Sequence, residues 1–242
     1  MNEDATRAYY DDFAAAYEAH RRPNDANGYH ALVDDLEISI VRRYGEGKDV
    51  LECGCGTGLL LERIATFARR AVGVDLSPGM LGKARERGLE VHEASVTKLP
   101  FDDASFDVAC SFKVLAHVED IRGALAEMVR VVRPGGVVLA EFYNPISFRA
   151  LAKRLGPAGK ISSNKDERDV FTRFDAPWRI GELLPPNAFI EGRFGARIVT
   201  PAAIAMRVPG LRAILPRVER LLAPTRAAYL AGFHVAIVRK RR

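Results

Sequence analysis

The segment Val50-Leu51-Glu52-Cys53-Gly54-Cys55-Gly56-Thr57-Gly58 constrains the fold more than any other part of the chain. A short apolar run leads into three glycines on alternate positions, and a helix-like run, Leu59 to Arg69, follows them. Alternate glycines let the backbone turn sharply and pass within contact of a ligand that side chains would hold away. Seventeen positions after Gly58, Ala71-Val72-Gly73-Val74-Asp75 reads as a second strand ending in a carboxylate, suited to accept hydrogen bonds from a ribose. Together the two segments describe a site for a nucleoside-bearing cofactor.

The details of the loop narrow the choice. The dinucleotide fingerprint G-x-G-x-x-G sets a pyrophosphate on a helix N-terminus. Here the loop reads E-C-G-C-G-T-G, and the carboxylate of Glu52, two positions before the first glycine, would repel a pyrophosphate and suit a cation. The segment resembles motif I of the class I S-adenosylmethionine-dependent methyltransferases, whose cofactor carries a sulfonium and an amino group and no phosphate. The resemblance continues in order along the chain, over about residues 47 to 143. Val74-Asp75-Leu76-Ser77-Pro78-Gly79-Met80-Leu81 is similar to the second motif, Ala94-Ser95-Val96 with Leu99-Pro100-Phe101 to the third, and Ser105 to Phe112 to the fourth strand. Val114-Leu115-Ala116-His117-Val118 resembles the family's L-H-H-V segment, with Ala116 in place of the first His. Leu125 to Val132, then Arg133-Pro134-Gly135-Gly136, resembles the helix and turn before strand five.

The resemblance implies a doubly wound, Rossmann-like α/β sheet of seven strands, mostly parallel with an antiparallel final strand, and helices on both faces. The alternation of apolar segments after Val50 independently points to a doubly wound parallel sheet, with strands near 48 to 53, 70 to 74, 89 to 92, 106 to 111 and 136 to 142. Helices are predicted over 5 to 19, with Tyr9, Tyr10, Phe13 and Tyr17 on its dry face, and over 30 to 43. Strand-like runs return at Ala188 to Val199 and Gly232 to Val238, separated by an amphipathic helix, Val208 to Leu222, with Leu211, Ile214, Leu215, Val218, Leu221 and Leu222 on one side. Residues 156 to 177 read as a polar loop or lid. The expected organisation is one domain: a helical cap over 1–46, a cofactor-binding core over 47–145, and 146–242 supplying substrate-side helices and the last two strands of the same sheet.

Charge is divided unevenly. Residues 1 to 142 hold 17 Lys/Arg against 24 Asp/Glu, whereas residues 143 to 242 hold 19 against 7, a balance of +12. The acidic part suits a cationic cofactor, and the basic part suits an anionic substrate, a phosphate-bearing carrier, a membrane surface or nucleic acid, with a merely solvated surface as the plain alternative. No apolar run reaches the roughly 18 to 20 residues of a membrane span, and the start Met1-Asn2-Glu3-Asp4 is unlike a signal peptide, so a cytoplasmic location is expected. The three cysteines, Cys53, Cys55 and Cys110, are too few and too poorly matched with histidine for a metal site, and no metal is expected.

The family pattern assigns cofactor contacts to Glu52, Gly54, Cys55, Gly56 and Gly58, to Asp75, Leu76 and Met80, to Ser95 and Val96, and to Phe112, with Tyr17 of the leading helix near the methionine end. Cys55 enters as a small residue whose backbone N–H binds. His117, Tyr143 and His20 are candidate catalytic residues, each with capping or packing as the alternative, and Lys113, Tyr143 and Arg197 are candidate substrate contacts. The implied activity is methyl transfer from S-adenosylmethionine, leaving S-adenosylhomocysteine, to oxygen or nitrogen of a small, partly apolar metabolite, such as an anionic natural product, quinone or lipid intermediate. The alternative is a nucleic-acid methyltransferase that uses the basic half as a track, although the tetrapeptide typical of base-amine enzymes is missing. Peripheral contact with a membrane is compatible with the basic segment 201 to 224.

Overall fold

A computed structural model describes residues 7, 8, 10, 11, 14, 17, 18, 28–147, 160–162, 165, 166, 171–200, 205, 206 and 208–242. Its centre is a seven-stranded sheet built from β1 (Asp49–Cys53), β2 (Arg70–Asp75), β3 (Glu90–Glu93), β4 (Phe106–Ser111), β5 (Val132–Tyr143), β6 (Ala188–Ala196) and β7 (Phe233–Lys240), in the order β3-β2-β1-β4-β5-β7-β6. The first five strands are mutually parallel, and β7 runs antiparallel to both neighbours, β5 and β6. The Rossmann-like sheet with an antiparallel final strand is therefore present. Lys160–Ser162 and Lys165–Asp166 form a separate short hairpin.

Side-chain alternation decides which face each strand residue serves. Leu51, Val72, Ala109 and Val138 pack on one face with helix α4 (Ile121–Val131), through Leu125 and Met128. Val50, Val108, Leu139 and Ile237 pack on the other with helix α1 (Tyr29–Gly45), through Leu32, Leu36 and Ile40. Helices on both faces explain why β1 is buried at four of its five positions rather than at every second one. Helices α2 (Leu59–Ala65) and α3 (Pro78–Glu86) complete the crossovers, and Ser77 caps α3 by accepting a hydrogen bond from the Met80 N–H at 3.1 Å.

Three details differ from the simplest reading of the sequence. The Arg133-to-Gly136 segment, predicted as a turn, is an irregularity inside a longer β5: Phe106 pairs with Val132 but Val108 with Val137, and Gly135 takes up the left-handed turn with φ of +77°. The leading helix meets the domain through a polar face. Arg7 pairs with Glu93, Asp11 accepts from the Gly79 N–H at 2.9 Å and the Ser77 hydroxyl, Ala14 lies against Gly79, and Glu18 pairs with Arg87 at 2.6 Å. Positions 7, 11, 14 and 18 share one helical face, so charged contacts and the buried Ala14 together dock this helix, while Tyr9 and Phe13 of the expected dry face lie outside the described residues.

The third point concerns helix α5 (Pro209–Leu222), whose leucines an ordinary sheet-covering helix would bury. Its deepest side chain is instead Glu219, whose carboxylate accepts the backbone N–H groups of Ile198, Val199 and Thr200 at 2.8–2.9 Å, while Leu211, Ile214 and Leu221 face solvent. A buried carboxylate with three charge-assisted hydrogen bonds is satisfied, and satisfying it fixes the rotation of the helix.

Candidate functional site

The register of the sheet assembles the site at the carboxyl ends of the parallel strands. Cys53 pairs with Val74, which brings Gly54 and Asp75 side by side, and the N–H groups of Gly54 and Cys55 both bond the Val74 carbonyl, at 2.7 and 2.9 Å. The loop then folds over the end of β2. Gly56 donates its N–H to the Asp75 carboxylate at 2.8 Å, and Ser77 donates to the other carboxylate oxygen at 2.9 Å. Burial pushes the Asp75 carboxyl upward in pKa against the lowering effect of these backbone donors. Each oxygen retains a lone pair for a further donor such as a ribose hydroxyl.

Two glycines are needed for different reasons. A Cβ on Gly54 would lie 2.2 Å from the Val114 side chain, so this position is dictated by packing. A Cβ on Gly56 would meet no protein atom within 4 Å, yet the loop holds φ at +55° there. The open volume above Gly56 is where a ligand can approach the backbone. Cys55 behaves as the small packing residue expected: its sulfur lies against Gly73, it is buried with Leu61 and Leu81, and burial raises its thiol far above the ordinary range.

Glu52 lies on the α1 face of β1, buried, and its Oε2 has no hydrogen-bond partner. Burial, followed by repulsion from Glu37, holds its carboxyl well above the usual range. Around it stand residues that the sequence reading had not singled out. Glu37 of α1 and Glu141 of β5 are both almost fully buried, and burial, followed by repulsion from Glu37, pushes the Glu141 carboxyl far above its ordinary range. Lys113 serves this group. Its ammonium lies 2.7 Å from Glu37 and 3.2 Å from Asp34, and its backbone N–H donates to Glu141 at 2.9 Å. These bonds hold Lys113 at φ +61°, a left-handed geometry costing a non-glycine residue about 1–2 kcal/mol. Glu37 stands between the buried Leu36 and Ile38, and Glu141 interrupts the apolar run Val137 to Phe142; a carboxylate in such surroundings was the available signal.

The donor set fits S-adenosylmethionine. An orphaned buried carboxylate oxygen suits an ammonium, and on the adjacent strand the Asp75 carboxylate, bonded to the Gly56 N–H where the backbone is open, suits ribose hydroxyls. Leu76 and the buried Met80 follow Asp75, and Phe112 is buried at the end of β4. Ser95 exchanges hydrogen bonds with Thr97, the Ser95 hydroxyl lying 2.7 Å from that of Thr97, while Val96 is buried beside it in the core near α4. Tyr17 precedes Glu18 on the leading helix. A separate shallow cleft of about 310 Å³ on the flank of α3 is lined by Ala14, Glu18, Lys83, Glu86 and Arg87 and contains none of these residues.

An aromatic group borders the other side of the edge. Tyr143, ending β5, has the His117 ring edge-on at 5.9 Å, Phe174 at 6.1 Å and Phe233 at 5.3 Å. Arg197, just past β6 at φ +68°, sets its guanidinium 4.9 Å from the Tyr29 ring centre and 5.9 Å from that of Phe233. His117 Nδ1 lies 2.8 Å from the Phe171 carbonyl. A carbonyl only accepts, so Nδ1 carries a proton, and a neutral ring in this tautomer has its lone pair on Nε2. The end of the predicted lid crosses this edge: Arg173 N–H bonds the Ala116 carbonyl at 2.8 Å and Asp175 N–H the Tyr143 carbonyl at 3.0 Å. His20 and most of 156–170 lie outside the described residues. Among the described residues no cluster of His, Cys, Asp and Glu is arranged to hold a metal.

Residues 51–140 match the methyltransferase domain family. Among curated proteins, a probable S-adenosylmethionine-dependent methyltransferase of Mycolicibacterium smegmatis is 39% identical over 104 residues, 42% of this chain and 40% of that protein. The demethylmenaquinone methyltransferase of Renibacterium salmoninarum is 35% identical over 151 residues, 59% of this chain and 60% of that protein. The chain thus spans less than two thirds of either relative. A solved S-adenosylmethionine-dependent methyltransferase of Thermotoga maritima, 19% identical, superposes over 98% of this chain and 99% of its own with a TM-score of 0.69, which establishes the shared fold.

Proposed function

We propose that this chain transfers a methyl group from S-adenosylmethionine to oxygen or nitrogen of a small, partly apolar, anionic metabolite of the quinone, lipid-intermediate or natural-product kind. The observation that carries the substrate class is the run of ring contacts from His117 through Tyr143 to the buried Phe233, with the Arg197 guanidinium at its end. The demethylmenaquinone methyltransferase among the relatives supports the same class.

When bound, S-adenosylmethionine supplies a methyl group already activated by the adjacent sulfonium, so the protein need only align the acceptor and exclude water. Asp75 would hold the ribose hydroxyls and Glu52 the ammonium, each by a charge-assisted hydrogen bond. Tyr143 and Phe174, with the buried Phe233 behind Tyr143, would hold the acceptor's apolar body, and Arg197 its anionic group. For an acceptor hydroxyl, His117 Nε2 takes the proton while Nδ1–H stays bonded to Phe171, an arrangement suited to general-base work. An acceptor amine that arrives neutral needs no base.

The test is methyl transfer from labelled S-adenosylmethionine to a host-cell extract separated into organic-soluble, small aqueous, protein and nucleic-acid fractions. Label in the organic or small aqueous fraction is expected. Label confined to nucleic acid would replace this reading with the nucleic-acid one.

A further inference from the structure

Helix α5 presents an apolar ridge to solvent. Val208, Leu211, Ile214 and Leu221 are all exposed, Leu221 at 72% and Ile214 at 56%, and the following turn adds Leu230 at 47%. Leu211, Ile214, Val218 and Leu221 follow the three-and-four spacing of one helical stripe. The ridge is not an accident of sequence composition, because the inward pull on Glu219 by three backbone donors rotates it outward.

The charge around the ridge identifies what covers it. Between Val208 and Leu230 the charged residues are Arg212, Arg217, Glu219, Arg220 and Arg226, and the one acid among them is buried. Arg212, Arg217 and Arg226 are exposed, and Arg220 pairs with Asp35 at 3.3 Å. A second copy of the chain would set two +12 segments against each other. Nucleic acid would complement the arginines but leave the leucines in water. An anionic bilayer surface satisfies both, since leucine and isoleucine enter the acyl boundary while arginines meet the headgroups.

We propose that α5 and the turn after it dock the protein peripherally on anionic lipid. Glu219 ties α5 to Ile198–Thr200, directly after Arg197, so the docked helix lies at the same edge of the sheet as the aromatic group. A lipid-dissolved acceptor would reach the site without crossing water. The docking itself rests on the ridge and its charge, whatever the acceptor proves to be.

Flotation of the full chain with vesicles of phosphatidylcholine alone, or of phosphatidylcholine mixed with phosphatidylglycerol, tests this. Binding to the mixed vesicles is expected, weakened by salt, and weakened at least about tenfold by Leu221→Glu or Ile214→Glu. Arg217→Gln, at a solvent-facing position off the ridge, should weaken it about fivefold, and it keeps the test decisive if a ridge variant folds poorly. Absence of binding, equal binding to neutral and mixed vesicles, or ridge variants that float like the wild type would overturn the proposal. So would a dimer in sedimentation analysis that Leu221→Glu abolishes, which would assign the ridge to a second copy.

Discussion

Replacing Glu52 by Gln separates charge from shape at the point where the cofactor's ammonium is expected. The wild-type carboxyl is buried, is repelled by Glu37, and has an Oε2 without a partner, so in the ligand-free protein it favours the protonated form. A bound ammonium reverses that preference, so wherever the ligand-free carboxyl is protonated, binding expels a proton. The charge-assisted hydrogen bond gained is worth about 1.5–3 kcal/mol, so Glu52→Gln should weaken S-adenosylmethionine binding about ten- to 150-fold. The effect on folding has the opposite sign. A carboxyl whose folded pKa is raised contributes stability fully below its unfolded value, and that stability is lost as pH rises through the folded value. Gln keeps the neutral state, so the variant should match the wild type in acid and exceed it in Tm toward alkaline pH. Titration calorimetry in buffers of different ionisation enthalpy would read both affinity and proton release. Wild-type affinity should rise with pH, with proton release that the variant loses. Affinity within about twofold of wild type, or unchanged proton release, would refute the assignment of Oε2 to the ammonium.

Lys113→Met should lower stability by about 3–5 kcal/mol at neutral pH, because it leaves buried Glu37 and its neighbours without their cation; thermal melts should show the loss shrinking in acid, where these carboxyls are neutral. Gly56→Val should abolish cofactor binding while leaving a folded protein, since its side chain would occupy open space in a left-handed backbone costing about 1–3 kcal/mol; retained binding by fluorescence or calorimetry would show that the ligand lies elsewhere. Asp75→Ala removes both the ribose acceptor and the partner of Gly56 and Ser77, and affinity should drop by more than about tenfold. His117→Ala should reduce kcat by about 100-fold or more for a hydroxyl acceptor and little for a neutral amine, with cofactor affinity retained; an equal effect on both acceptors would reduce His117 to a packing role.

What could be read in advance follows from how local each signal was. The glycine loop and the acid-tipped strand encode their geometry within a few residues, so Gly54, Gly56 and Asp75 were legible and their contacts follow. Strands β1, β2 and β4 were legible to within a residue or two because each carries a short apolar run bounded by turn chemistry, whereas the mostly polar β3 followed from its place in the alternation. The acidic group was not. Glu37, Glu52 and Glu141 come from three distant segments and meet only through strand register and the placement of α1. Lys113 looked like a cation awaiting substrate, and its acidic partners are 76 and 79 positions away in sequence. The rotation of helix α5 was not legible for a related reason: periodicity located its stripe correctly, but Glu219 and three backbone donors decided which way the stripe turned.

The placement of β7 between β5 and β6 has a consequence for synthesis. The strand that joins β6 to the rest of the sheet is also the last to be made, so β6, complete at Ala196, has no hydrogen-bonded neighbour until residues 233–240 emerge. At about 5–20 residues per second that interval lasts roughly 2–9 seconds. Through it the nascent chain carries an unpaired edge on β5 and a second unpaired strand. A ribosome stalled between these strands would hold a chain whose cofactor loop is complete and whose sheet is open.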